Sequence, residues 1–276
     1  MSRLLPAFGD IALEELTPRR IEAWRAGLTR GERPLSNRTR NKALTILGGV
    51  MERGRRVYGL PSNPVRDVEK LRERYDATRF DFYSLEEIHA LARAAADEQD
   101  AAVYLTAAFT GLRRGELIAL RWRNVDFDRA VIRVSESYAN GELTLPKSGR
   151  GRAVPLVPEV ATVLAKLGQR GYATAEDGLV FPSVGGTYMD GSALRRRYVA
   201  AQRRAGLRLL RFHDLRHTFG TLAIRGAESI VELQAWMGHA EVRTTMRYTH
   251  YREQHNAADR LASAFTSGSA SDVAVS

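Results

Sequence analysis

A chain of 276 residues, 44% of them hydrophobic, can bury the core of one large or two medium domains, and its lack of cysteine excludes disulfides, thiolate metal sites and a cysteine nucleophile. The formal charge of +10 is uneven: residues 1–80 hold 17 Lys+Arg against 10 Asp+Glu, residues 81–276 hold 25 against 22, and a basic balance concentrated in a small unit favours a polyanionic partner. No apolar run reaches the length of a membrane span and MSRLLPAFGD has no signal-peptide core, so a soluble intracellular protein is expected.

Thr17-Pro18 reads as the cap and first residue of a helix through Ile21, Trp24 and Leu28. Ser36 caps a second helix with Leu44, Leu47, Val50 and Met51 on one face and Asn37, Arg38, Arg40, Asn41 and Lys42 on the other. Such a polar face suits a DNA groove, where cations meet phosphates and amides can read base edges. Pro61-Ser-Asn-Pro64 breaks the chain, and the alternating charges of residues 65–80 read as a linker.

Ser84 and Glu87 form a capping box for a helix with Ile88, Leu91 and Ala95 inward. Ala102 to Phe109 reads as a buried helix that stops at Gly111. The glycine turns the backbone toward a cleft; whether Arg113 or Arg114 enters it is left to the family pattern below, while Leu117 and Leu120 pack. Val125 to Ser137 alternates as strands do, and Asn140-Gly141 is a hairpin turn signal. Leu143 to Pro155 is expected to continue the sheet through a glycine-bearing hairpin that carries Lys147. A helix over 158–170, a turn at Gly185-Gly186 and a basic helix from Ser192 to Arg204 follow, the last with Arg195-Arg-Arg197 available to phosphates. The small polar tail Ser267 to Ser276 is expected to be disordered.

The densest chemistry lies between Phe212 and Tyr251. His213 and Arg216 are spaced i, i+3 and leave one face of a helix. Ser229 and Glu232 form a capping box before Val231, Leu233, Trp236 and Met237, and Gly238 ends that helix with His239 beyond it. Tyr248 follows nine residues after His239, in a polar setting with Arg247 and Thr249. A phenol attacking a phosphodiester needs a base for its proton and cations for the charge that develops on phosphorus-bound oxygens. His213 and His217 at i, i+4 also have metal-pair spacing, but the HExxH glutamate and an obvious third ligand are missing.

HDLRHTF, then GH, then a tyrosine nine residues on, with TGLRRGE upstream, resembles the tyrosine recombinases of the phage integrase family over roughly residues 8–260. The resemblance implies a mainly α core-binding domain over 1–78, lacking the extra first helix that usually precedes this FG, and no separate arm-site domain. It implies an α+β catalytic domain over 79–265, helices with a small antiparallel sheet, and a tail over 266–276. Together the domains would clamp duplex DNA. Tyr248 would be the nucleophile that forms a 3′-phosphotyrosine, with Arg113, Arg216 and His239 stabilising the transition state. Lys147 would protonate the leaving 5′-oxygen, His213 would assist in taking the tyrosine proton, and Glu116 would support Arg113. Neither metal nor ATP is implied. A homotetramer on two DNA sites is, with the helix after Tyr248, through Leu261, docking on a neighbour, in a cytoplasmic and nucleoid-associated protein. A type IB topoisomerase or telomere resolvase would share the pocket, and a catalytically idle DNA-binding regulator would share the fold.

Overall fold

The computed structural model describes residues 3–72, 81–146 and 149–251. Contacts divide the chain into two units, Met1–Asp76 and Ala77–Ser276.

The first unit contains α1 (Leu5–Phe8), α2 (Pro18–Ala26), a small hairpin of β1 (Thr29–Arg30) with β2 (Arg33–Pro34), and the long α3 (Asn37–Tyr58). Thr17 caps α2 by accepting from the Arg20 amide, and Ser36 caps α3 by accepting from Thr39. Phe8, Ile21, Leu44, Leu47, Met51 and Leu60 form the core. The buried stripe of α3 runs through 44, 47 and 51, so Val50 falls off it and is exposed, against expectation. Asn41 is a second correction. Three residues before Leu44, it lies on the buried stripe rather than the polar face. Its Nδ2 donates to Leu71 O (2.8 Å) and its Oδ1 accepts from Leu71 N (2.9 Å), satisfying both polar groups of an extended segment. Arg38 and Lys42 are exposed, and Arg40 is half-buried with Nη2 on Ala26 O. Val65 and Val68 join the same core, so residues 65–72 are packed rather than a free linker; residues 73–80 lie outside the described residues.

The second unit is α+β. Its helices are α4 (Leu85–Arg93), α5 (Glu98–Thr110), α6 (Arg114–Ile118), α7 (Pro158–Gly168), α8 (Gly191–Arg204), α9 (Asp214–Ala223), α10 (Ile230–Met237) and α11 (Val242–Thr245), with a 3-10 turn over Met246–Tyr251. Its strands are β3 (Val125–Asp126), β4 (Val131–Val134), β5 (Ser137–Ala139), β6 (Glu142–Thr144) and β7 (Arg152–Pro155). α5 is the hub, packed against α4, α7 and α9, which is why nearly all of its residues from Ala102 onward are buried.

The antiparallel sheet has the order β3-β4-β7, with Ile132 opposite Val154 in the core. The sheet is not continued by Leu143, because β5 and β6 pair only with each other around Asn140 (φ 55°) and Gly141 (φ 86°). β7 instead returns to β4 directly. The Ser84–Glu87 capping box is closed in both directions. At α10 only half of the expected box forms: Ser229 accepts from Glu232 N, while the Glu232 carboxylate takes the amide of Glu228. Val231 is exposed rather than part of the apolar face. In α8, Arg195 and Arg196 are exposed, whereas Arg197 is committed to Asp100 through bonds of 2.7 and 3.0 Å. Among the described residues no helix is long and apolar enough to cross a membrane.

Candidate active site

α5 ends at Gly111, whose φ of +63° favours glycine and whose added Cβ would lie 2.4 Å from the Phe219 ring. This double constraint turns the chain so that Arg113 becomes the cap of α6. Arg113 N donates to Glu116 Oε2 and its Nη1 to Glu116 Oε1, each at 2.8 Å, which selects Arg113 over Arg114 as the inward arginine. Arg114 is exposed and reaches Gly191 O. From α9, Arg216 is 3% exposed and donates Nη1 to Gly111 O (2.6 Å) and Nη2 to Met237 O. Arg113 Nη2 donates to Gly238 O (3.0 Å).

Gly238 ends α10 in the left-handed conformation (φ 60°), and His239 follows with its amide on Gln234 O. His239 Nδ1 meets the Thr245 hydroxyl at 2.8 Å, so α11 orients the ring. Arg113, His213, Arg216 and His239 thereby line one pocket of about 440 Å³, together with Gly238, Ala240, Glu241 and Thr244.

Burial, followed by the charge of Arg113, pushes Arg216 down to about 9, still protonated at neutral pH. Burial and then the Arg216 charge lower His213. Burial, then Arg216 and Arg113, lower His239 to about 3. Both imidazoles are therefore neutral beside the cations. Burial raises the Glu116 carboxyl, but the hydrogen bonds and charge of Arg152 and Arg113 outweigh it and hold Glu116 below the usual carboxylate range.

Tyr248 is not among the residues lining this pocket, and its setting is not the polar one expected. It is 1% exposed and belongs to the hydrophobic core. Its ring lies over Gly220, where an added Cβ would come within 2.5 Å of Cζ. Its hydroxyl meets His217 Nδ1 at 2.9 Å. The His217 ring in turn stands edge-on to His213, with centroids 5.5 Å apart. Burial, then His213, lowers His217 to about 4. Lys147, the tail over 266–276 and the stretch from 252 through Leu261 lie outside the described residues.

Two residues here were not singled out as site residues from sequence. His217 has the phenol as its partner, where the i, i+4 spacing had suggested only a metal pair. Arg152 is 7% exposed in its side chain, donates Nη1 and Nη2 to Glu116 (3.0 and 2.7 Å) and gives Nε to Trp236 O (2.8 Å). Its sequence signal was strand parity: Arg152 and Val154 share a face of β7, and Val154 is fully buried.

The model of the phage integrase family matches residues 79–255. An integrase of Mycobacterium phage FRAT1 is 29% identical over 257 residues, covering 89% of this chain and 74% of the relative. Among solved structures, the Tn1549 transposon integrase in complex with transposon right end DNA superposes with a TM-score of 0.74 at 20% identity, covering 95% of this chain and 92% of that one. A lambda integrase tetramer bound to a Holliday junction gives 0.67 at 17% identity, covering 87% and 69%.

Proposed function

Because the chain belongs to the phage integrase family and is a site-specific DNA recombinase, we propose that it cleaves and rejoins strands through a 3′-phosphotyrosine, that the Arg113–His213–Arg216–His239 pocket receives the scissile phosphate and that Tyr248 is the nucleophile. The observation that carries this reading is the convergence of two guanidiniums and two neutral imidazoles from three separate segments on one pocket.

The Tyr248 oxygen bonds to phosphorus as the bond from phosphorus to the 5′-oxygen breaks. The phenol's proton passes to the neutral imidazole of His213, which lines the pocket. Arg113 and Arg216 offset the charge that develops on the non-bridging oxygens, and His239 donates a hydrogen bond to one of them. Lys147 supplies a proton to the departing 5′-oxygen, while Arg113 and Arg216 stay with the non-bridging oxygens. Religation reverses these steps with another strand's 5′-hydroxyl, and the phosphotyrosine conserves the bond, so the two arginines suffice without metal or ATP.

Arg38, Arg40 and Lys42 contribute phosphate contacts from the first unit, Asn41 being committed to Leu71. Four copies on two DNA sites make the working assembly, by analogy with the lambda integrase tetramer, with the stretch through Leu261 docking on a neighbour. DNA as substrate puts the protein in the cytoplasm, at the nucleoid.

A nicked duplex that releases its 5′-hydroxyl fragment tests the nucleophile. Wild-type protein should remain covalently attached, Tyr248→Phe should bind without forming an adduct, and Tyr251→Phe should still form one. An adduct that survives Tyr248→Phe overturns the assignment.

A further inference from the structure

Three consecutive carbonyls at the end of α10 are each taken by a different arginine. Trp236 O accepts from Arg152, Met237 O from Arg216 and Gly238 O from Arg113. These carbonyls are the unpaired, negative end of a helix, where cations are favoured. Arg216 and Arg113 line the phosphate pocket, but Arg152 does not. Arg152 instead shares the buried Glu116 carboxylate with Arg113. Its side chain also backs Gly238, where an added Cβ would lie 2.9 Å from Arg152 Cδ.

One carboxylate thus faces two guanidiniums. If Arg152 were absent, both Glu116 oxygens would be available to Arg113, a bidentate pair that would draw the guanidinium back and cancel its charge. We propose that Arg152 is a positioning residue for strand cleavage: by occupying Glu116 and the Trp236 carbonyl it keeps Arg113 turned toward the phosphate and holds Gly238-His239 in place. This rests on the pocket reading above and assigns Arg152 no contact with DNA.

The test is single-turnover cleavage of the nicked duplex at saturating protein, beside DNA affinity at matched salt and thermal unfolding of each variant. Arg152→Met should bind DNA like wild type and cleave on the order of tenfold to a hundredfold more slowly, the effect typical of outer partners that orient site ligands. Adding Glu116→Gln removes the carboxylate that captures Arg113, so the double variant should cleave about tenfold faster than Arg152→Met, a coupling of the size seen for contacting residues. A residue that merely braces the fold would lose and regain rate in step with thermal stability, since removing the unpaired buried carboxylate restores both; a positioning residue changes the rate of protein that is fully folded at the assay temperature. Should Arg152→Met fail to fold, Arg152→Lys keeps the charge but cannot span Glu116 and Trp236 O together, and the same pair of measurements applies with smaller amplitude. Wild-type cleavage in the single variant, or no recovery in the double, overturns the proposal. Failure of the wild-type protein to form any adduct would instead overturn the pocket reading.

Discussion

At the end of α10, Arg113, Arg152 and Arg216 are each held by two or more charged or carbonyl acceptors, whereas Tyr248 is seated over Gly220 with its hydroxyl against the neutral imidazole of His217. On the proposed reading Arg113 and Arg216 sit where phosphate charge would develop, fixed before any substrate arrives, as electrostatic preorganisation requires. Tyr248 does not line that pocket, so the proposed mechanism requires its phenol to leave its seat to reach phosphorus. Charge is held here rigidly, by hydrogen bonds, and the phenol by packing, so damage to the two regions should read out differently.

Arg216→Lys should show the largest effect. An ammonium cannot hold Gly111 O and Met237 O and still face the pocket, so cleavage should fall by about 10²–10³, the cost of losing one preorganised donor. DNA affinity at fixed salt should change little. A variant that cleaves within a few-fold of wild type would mean that the rigid half of the comparison is dispensable.

Gly220→Ala probes the packed half. The added methyl meets the Tyr248 ring, and overpacking of about 1–3 kcal/mol outweighs the gain of about 1 kcal/mol from helix propensity. Chemical denaturation should show the loss, while adduct formation persists because the displaced phenol is the one that reacts. Loss of the adduct together with retained DNA binding would show instead that the seat over Gly220 is itself the reactive position.

These two regions also differ in how far the sequence exposed them. Arg113, His213, Arg216 and His239 stand in short motifs beside glycines and helix ends, whose backbone demands are local and legible. The burial of Tyr248 and of Asn41 was not, since each depends on a partner more than two dozen positions away, Gly220 or Leu71. Arg152 was hidden beside Arg150 in one basic stretch of sequence, and only its parity with Val154 separates it from that exposed cation. The helices α2, α3, α4 and α10 followed from their caps, and the strands between Val125 and Ser137 from alternation. That β5 and β6 stand apart from β4 and β7 follows from register, which the Asn140-Gly141 turn alone does not set.

His217→Phe should give the smallest effect, removing a neutral hydrogen bond worth about 1 kcal/mol. The pH dependence sharpens it. His217 titrates at about 4 in the folded protein and at about 6.5 in an unfolded chain. Between those values the unfolded state binds the extra proton, so acidification through this window lowers stability and raising the pH restores it. Urea titrations from pH 4 to 7 should show a shallower acid limb in His217→Phe than in wild type. An unchanged limb would mean that the imidazole is not held neutral by its burial.

The three arginines that grip α10 come from positions 125, 84 and 21 residues away from the carbonyls they hold. Closing loops of that length is entropically costly and comes late in folding. A partly folded or prematurely ended chain therefore carries its positive charge, and with it an affinity for DNA, before it has anything that can cut. Competence to break a strand therefore arrives only once these distant contacts have closed, a consequence of contact order.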